Sequence, residues 1–158
     1  MNIQKNKIIF KDKTIYIGGI KNNKPHGKGT IYNPGILEED IPYKSSWIKK
    51  GIFKNGDFVQ GQIQESGKIV EGKFKNKKPI GNAKIIWRHF RSPITSEYFG
   101  QIKRIKLRNF RLGYYPYGKG KLISGGRIEV GDFKSGFLKK GKIFYSDIKK
   151  WSVWPPKE

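Results

Sequence analysis

Cysteine is absent from this 158-residue chain, and several other chemically useful residue types are scarce. Without cysteine, the chain has no disulfide, thiolate metal site or cysteine nucleophile. It carries two histidines and 12 acidic residues, so general acids, bases and metal ligands are few. No apolar run is long enough for a transmembrane helix, and the first ten residues lack the pattern of a signal or transit peptide. We therefore expect a cytosolic protein, or one made or processed in the compartment where it works.

The second shortage is negative charge. Lysine and arginine total 34 against 12 acids, so the net charge is 34 − 12 = +22. Such a chain repels itself and is typical of proteins that contact nucleic acid, anionic membranes or acidic proteins. The excess of lysine and isoleucine is also typical of an AT-rich coding genome, which accounts for a share of the charge. With 35% hydrophobic and 14% aromatic residues, one packed domain is still expected.

A glycine pattern runs through the chain at a nearly constant spacing. Glycine, any residue and then an apolar residue recur, and neighbouring glycines lie ten or eleven positions apart (29 − 18 = 11, 61 − 51 = 10), with larger gaps close to double steps (51 − 29 = 22, 120 − 100 = 20). The members are Gly18, Gly29, Gly51, Gly61, Gly72, Gly100, Gly120, Gly131 and Gly141, with Gly81 as a weaker one. This spacing predicts one strand per repeat and a β-hairpin as the repeating unit.

The residues between these glycines are turn formers. The predicted turns are Asn22-Asn23, Asn55-Gly56, Glu65-Ser66-Gly67, Asn76-Lys77, Gly125-Gly126 and Ser135-Gly136. Asn-Gly between apolar runs is a strong hairpin signal. Because glycine weakens a strand interior, its repetition predicts a packing role in which an aromatic ring lies across the bare backbone. The candidate rings are Tyr16, Phe53, Phe74, Tyr98 and Phe133.

Residues 16–35, YIGGIKNNKPHGKGTIYNPG, resemble the MORN repeat family. They contain Tyr-x-Gly, an asparagine turn, His-Gly-x-Gly and a closing glycine. Looser copies follow: one runs from Val70 through Gly81, and another begins at Tyr98-Phe99-Gly100 and resumes at Tyr117. Only the first repeat keeps histidine. The resemblance covers about residues 14–145. It implies an all-β fold: an elongated, twisted antiparallel sheet of consecutive hairpins, usually with a cap. It also implies a scaffold, a lipid-contacting module or a ciliary or membrane-junction component.

Three parts follow from this pattern. Residues 1–13 are expected to form an N-terminal strand or cap, and residues 14–145 the repeat sheet, with irregular insertions near 33–46 and 88–97. Residues 146–158 form a C-terminal tail that contains Trp151 and Trp154. The tail is expected either to cap the last hairpin by covering its open edge or to dock on a partner.

Residues 101–121 interleave basic and aromatic side chains without a single acid. Arginine suits bidentate phosphate contacts, and aromatic faces stack on unpaired bases. The predicted contacts to an anionic partner are Arg88, Arg91, Lys103, Arg104, Lys106, Arg108, Arg111, Lys119 and Lys121. The predicted contact aromatics are Phe110, Tyr114, Tyr115 and Tyr117. The alternative is a solvated strand pair whose tyrosines belong to the hairpin core.

Catalysis finds little support in the sequence. His26 lies in the repeat pattern as a structural turn residue, and His89 is interpreted as a surface contact. No cluster of His, Asp and Glu residues has the spacing of metal ligands. We therefore expect no catalytic residue, metal or cofactor. Residues 118–121, GKGK, lack the spacing of a phosphate-binding loop.

The sequence therefore predicts a non-enzymatic basic scaffold subunit of a large assembly. Its expected partners are RNA, with organellar ribosomal RNA as the specific expectation, and neighbouring protein subunits. Composition indicates a mitochondrial location, with the cytoplasm or a membrane periphery as alternatives. The alternative functions are a peripheral protein that binds anionic phospholipid, or a structural subunit of a respiratory, cytoskeletal or ciliary complex.

Overall fold

The computed structural model describes residues 2–4, 6–33, 47–65, 67–88, 95–106 and 112–156. Within these residues the regular structure is entirely β-strand. Strand order in the sheet is the order of the strands in the chain, and paired neighbours run antiparallel. The predicted all-β sheet of consecutive hairpins is confirmed. The described residues also contain no helix that is long and apolar enough to cross a membrane.

The strands are named in chain order. The first seven are β1 Asn2–Gln4, β2 Lys7–Ile9, β3 Ile15–Lys21, β4 Lys24–Asn33, β5 Trp47–Lys54, β6 Asp57–Glu65 and β7 Lys68–Lys75. The other six are β8 Lys78–Arg88, β9 Thr95–Lys106, β10 Leu112–Ser124, β11 Arg127–Lys134, β12 Phe137–Tyr145 and β13 Lys150–Trp154. The predicted N-terminal segment is thus two short strands, and β2 pairs with β3.

Two compact units make up the chain. The first comprises residues 1–66 and 71–77, and the second comprises residues 67–70 and 78–158. In the first unit, Ile8, Tyr16 and Phe53 form a buried cluster against which four partly buried side chains pack: Phe10, Ile20, Ile31 and Phe58. In the second unit the largest buried side chains include Tyr98, Ile85 and Ile143. Each unit therefore has its own core on one face of its strands.

Five predicted hairpin turns are present as two-residue turns: residues 22–23, 55–56, 76–77, 125–126 and 135–136. Both residues of each turn have positive φ, for example 51° and 94° at Asn55 and Gly56. This is the backbone that type I′ turns require, and their twist matches that of the flanking strands. The turns therefore set the hairpin register locally. The remaining predicted turn includes Ser66, which lies outside the described residues.

The glycines of the repeat lie opposite one another across the strands. In the first unit Gly18 pairs with Gly29, and Gly29 also pairs with Gly51, which pairs with Gly61. In the second unit the corresponding row is Ala83, Gly100, Gly120, Gly131 and Gly141. The ten-to-eleven spacing thus becomes a continuous glycine row on the core face of each unit. Gly81 is not in the row. Ala83 occupies the position that the sequence pattern assigned to Gly81.

Two tyrosines fill the space above this row. A Cβ on Gly29 would collide with the ring of Tyr16, and a Cβ on Gly120 would collide with the ring of Tyr98. The hydroxyl of Tyr16 donates to the carbonyl of Gly19 at 2.8 Å, and that of Tyr98 donates to the carbonyl of Gln101 at 2.8 Å. Aromatic cover of the glycine row, predicted from the spacing, is therefore present for the two tyrosines.

The phenylalanines are placed differently from the prediction. Phe53 packs edge-on against Tyr16 with ring centres 5.0 Å apart, and Phe133 packs the same way against Tyr98 at 5.1 Å. At Gly51 and Gly131 the atoms nearest to an added Cβ belong to the backbone of the facing strand. The two phenylalanine rings thus extend the tyrosine contact across the core and do not cover Gly51 or Gly131. The backbone of the facing strand lies over these two glycines instead.

Burial also raises the pKa of the Tyr16 and Tyr98 hydroxyls. Desolvation raises the pKa of Tyr98 to about 12. It also raises the pKa of Tyr16, where a hydrogen bond to the backbone of His26 opposes the change. Both rings are therefore neutral donors through the physiological range.

The predicted insertions fall largely outside the described residues, which omit 34–46 and 89–94. Their edges are regular: Asn33 belongs to β4, Arg88 to β8 and residues 95–97 to β9. The hairpin strands therefore extend further into both segments than the sequence pattern indicated.

Candidate functional site

The basic stretch at 101–121 forms the end of β9 and most of β10. The two strands are antiparallel, with Lys106 opposite Leu112 and Arg104 opposite Tyr114. Four of the predicted contact residues, Arg91, Arg108, Phe110 and Arg111, lie outside the described residues. The described cations of the stretch are all exposed: Lys103, Arg104, Lys106, Lys119 and Lys121. These five residues are called the basic patch.

Strand alternation divides the basic patch between two faces. Successive side chains of a strand point to opposite sides of the sheet. Arg104 and Lys106 share the core-face parity of Tyr98, whereas Lys103, Lys119 and Lys121 share the parity of the opposite face. The patch therefore lies on both faces of the β9–β10 pair, from the level of Phe99 to that of Lys106, and it is not a flat row on one side.

A bulge in β10 sets the position of Lys119. Between Pro116, opposite Ile102, and Gly120, opposite Gly100, β10 has three residues where β9 has only Gln101. The side-chain oxygen of Gln101 accepts a hydrogen bond from the backbone N–H of Lys119 at 3.1 Å. Gly118 adopts φ 79° within this segment. The two extra residues leave the alternation of faces unchanged, so Lys119 and Lys121 lie on the outer face beside β9.

The three described tyrosines of the stretch differ in access. Tyr114 is only 5% exposed, so it belongs to the packed interior. Tyr115 is half-buried beneath the amine of Lys68, which lies 4.1 Å from its ring centre and donates to the carbonyl of Tyr114 at 3.0 Å. Tyr117 is 36% exposed, and the amine of Lys103 lies 4.9 Å from its ring centre. Among these three, Tyr117 offers the most accessible ring.

Arg88 does not join the basic patch. It is exposed at the last position of β8, opposite Thr95 at the start of β9. Lys106 lies at the other end of β9, about eleven residues and therefore about 36 Å away along the strand, whereas Lys121 lies opposite Phe99, about four residues from Thr95. Sequence proximity to residue 91 placed Arg88 in the predicted contact set, but the strand direction separates it from the cations at the far end of β9.

The tryptophans of the C-terminal tail belong to the last strand. β13 pairs with β12, so that Trp151 lies opposite Phe144 and Trp154 opposite Gly141. The indole N–H of Trp154 donates to the carbonyl of Leu138 at 3.1 Å, and the Trp151 ring lies 5.3 Å from that of Phe144. The tail thus covers the edge of β12, while the indole of Trp151 remains 49% exposed.

His26 has a structural contact. Its Nδ1 accepts a hydrogen bond from the N–H of Asn55 at 3.5 Å, and the N–H of Gly56 donates to the carbonyl of Pro25 at 2.9 Å. Both contacts hold the Asn55-Gly56 turn beside β4. In the second unit the N–H of Gly136 donates to the carbonyl of Pro116 in the same way. Within the described ranges, no group of three or more His, Asp or Glu side chains could hold a metal ion.

Sequence reasoning missed the outer face of the second unit. This face, opposite the core, exposes Phe99, Val130 and Val153 between lysine side chains. The signal was present beside the glycine row, because a side chain next to a row glycine must point away from the core. Lysine follows Ala83, Gly120 and Gly141, whereas an apolar residue precedes Gly100 and Gly131.

No protein-family model matches this sequence, and no curated protein matches it significantly. The fold defines the chain as a sheet of consecutive β-hairpins. The MORN resemblance stays a prediction from the residues that carry it.

Proposed function

We propose that this chain is a non-enzymatic scaffold whose basic patch contacts RNA within a large assembly. The observation that carries the proposal is the exposure of all five cations of the patch along the β9–β10 pair. No acid lies between residues 101 and 121. Lysine and arginine at such density neutralise backbone phosphates and release counterions, which provides sequence-independent affinity.

The side chains of the patch support distinct contacts. Arg104 presents a planar guanidinium suited to bidentate phosphate binding, and it also lies 5.8 Å from the ring centre of Tyr114. Tyr117 exposes a ring on which an unpaired base can stack, next to the amine of Lys103. The proposal extends to ribosomal RNA of an organelle, most specifically the mitochondrion. Only the lysine- and isoleucine-rich composition supports that location.

The test is the salt dependence of RNA affinity. A variant with Lys103, Arg104, Lys106 and Lys119 all changed to alanine is compared with the parent by fluorescence anisotropy on a labelled single-stranded RNA. Each phosphate contact contributes about 0.7 to the slope of log affinity against log salt. We expect the slope of the variant to be shallower by about 3.

The matched control changes four exposed lysines of the first unit to alanine: Lys50, Lys54, Lys73 and Lys75. It removes the same net charge elsewhere. The proposal is contradicted when this control flattens the slope as much as the patch variant does, or when the parent chain binds no RNA at low salt.

A second candidate function is binding to an anionic phospholipid surface. The specific observation in its favour is the exposure of Phe99, Trp151 and Val153 close to lysines, since apolar side chains next to cations suit the membrane interface. Flotation with vesicles separates the two functions. Binding that requires anionic lipid, together with no RNA affinity, favours the membrane.

A further inference from the structure

The outer face of the second unit carries two adjacent rows of side chains that cross six strands. Cross-strand pairing from β8 to β13 places the first row in register: Lys84, Phe99, Lys121, Val130, Lys142 and Val153. The neighbouring row, two residues along each strand, is Ile86, Glu97, Ile123, Ile128, Phe144 and Trp151. The first is called the lysine row and the second the apolar row.

The lysine row alternates strictly between a cation and an apolar side chain. Its apolar members are strongly exposed, with Phe99 at 59% and Val153 at 57%. Lys121 and Lys142 are exposed, and Lys84 pairs with Glu97 of the apolar row at 2.9 Å. On the core face of this unit large apolar side chains are buried, so these exposed ones lie on the side without a packing partner within the unit.

The two rows together line a shallow groove near β13. Val130, Lys142 and Trp151 line a space of about 330 Å³. The ring of Phe144 packs beside Trp151 and fixes the wall of the groove. The groove therefore combines an aromatic wall with a lysine at its rim, which suits an apolar side chain that has an acidic neighbour.

The spacing of the lysine row matches an α-helix. Neighbouring strands lie about 4.8 Å apart, so lysines on alternate strands recur every 9.6 Å or so. Seven residues of an α-helix rise about 10.5 Å, and half a heptad rises about 5.3 Å. A helix lying across the strands can thus present an acid to each lysine and an apolar residue to each intervening position. The two rows are about 6.8 Å apart, within the width of one apolar helix face.

We propose that the outer face of the second unit binds an acidic amphipathic helix of a partner protein. Its acidic side chains pair with Lys84, Lys121 and Lys142, and its apolar side chains cover the apolar row, with one in the groove beside Trp151. Apart from Glu97, the apolar row consists of apolar side chains. A nucleic acid strand would leave most of these uncovered, whereas an amphipathic helix covers both rows.

The first unit provides an internal comparison. The equivalent row beside its glycines is Ile17, Thr30, Lys50 and Gln62. It has one lysine and no alternation of cation with apolar residue. Lys50 is exposed on the face opposite the core, so a change at this residue alters net charge without altering the proposed surface.

The experiment uses the whole chain and a designed peptide of about 21 residues, in which glutamate recurs every seven positions and leucine fills the positions three and four residues away. A peptide of the same composition in scrambled order is the reference. We expect the fluorescence of the chain, through Trp151, to report saturable binding of the patterned peptide and much weaker binding of the scrambled one.

Two substitutions test a cation and an apolar member of the lysine row separately. Lys142→Glu is expected to lower the affinity for the patterned peptide about fivefold or more, because an ion pair becomes a repulsion. Val130→Asp is expected to lower this affinity about tenfold, because a charge would be covered by apolar side chains. Lys50→Glu is the matched control and should leave affinity unchanged. A peptide with lysine in place of its glutamates should bind Lys142→Glu better than the parent chain.

The proposal is overturned by equal affinity for the patterned and scrambled peptides, or by equal loss in Lys142→Glu and Lys50→Glu. It is also overturned when anionic vesicles or single-stranded RNA occupy this face and the patterned peptide does not displace them. Circular dichroism of each variant shows whether it is folded. The alanine variant of Lys103, Arg104, Lys106 and Lys119 keeps all three lysines of the row, so peptide binding and RNA binding can fail independently.

Discussion

Tyr16 and Tyr98 have equivalent surroundings in the two units. Each begins a Tyr-x-Gly triplet, donates its hydroxyl to the carbonyl three residues further on and covers a glycine of the facing strand. The ring replaces the side chain that the glycine lacks, and the hydrogen bond satisfies a buried hydroxyl. The residue pair, one tyrosine and one glycine on adjacent strands, is the basic packing unit of this fold.

At this scale we predict the effect of Gly120→Ala. The added Cβ would overlap the ring of Tyr98, so the ring must leave its site, and we expect a loss of about 3 kcal/mol in the free energy of unfolding. Urea denaturation measures this loss.

The control is Gly81→Ala, where an added Cβ meets no atom within 4 Å, although φ is +68°. Its cost is backbone strain of about 1 kcal/mol. An equal loss in the two variants would show that Tyr98 does not depend on the glycine.

Hairpins are the elements on which the register rests. Each described two-residue turn has positive φ at both positions, so the turn selects the pairing of the residues next to it. Hydrogen bonds then join turns to neighbouring strands, as between Gly136 and Pro116 at 3.1 Å. The register also shifts within strands, at 117–119 between β9 and β10 and beside Gly18, Ile52 and Asp132 in three of the hairpins.

At the element scale we predict that Ser135→Asn stabilises the second unit. Ser135 has φ 54° before Gly136, a conformation that asparagine adopts more readily than serine. The equivalent turn in the first unit is already Asn55-Gly56. We expect a gain of about 0.5 kcal/mol in the free energy of unfolding, measured by urea denaturation.

Ser135→Val serves as the comparison, because a β-branched residue resists positive φ. It should lose stability. If Ser135→Val raised the free energy of unfolding and Ser135→Asn lowered it, the interpretation of this turn would be wrong.

Across the whole molecule, positive charge opposes folding and attracts partners at once. A net charge of +22 on 158 residues raises the free energy of every compact state through self-repulsion. The described ion pairs, such as Arg127 with Glu129 at 2.9 Å, offset little of it. Both proposed surfaces use the surplus: the basic patch toward RNA and the lysine row toward an acidic helix.

This repulsion predicts that salt stabilises the isolated chain. The screening length is about 10 Å at 0.1 M ionic strength and decreases as salt is added. We expect the midpoint of thermal unfolding, followed by circular dichroism, to rise by several degrees between about 0.05 M and about 0.5 M sodium chloride. RNA affinity should decrease over the same range. A midpoint that falls with chloride would contradict the self-repulsion argument.

The sequence by itself determined the strands, their turns and the glycine row, because these depend on residues close together in the chain. Positive φ at Asn55-Gly56 is a property of two residues, and the spacing of Gly18 and Gly29 sets one hairpin. The exposure of Lys103 and Lys119 also followed, since charged side chains remain in water.

Only the tertiary structure decided which side chains come together across strands. It buries Tyr114, separates Arg88 from Lys106 by the length of β9, places Ala83 in the glycine row and aligns Lys84, Lys121 and Lys142 with apolar neighbours. The reason is that register and strand direction combine residues far apart in sequence. Each register shift within a strand changes the pairings beyond it, and no local pattern in the sequence records where these shifts fall.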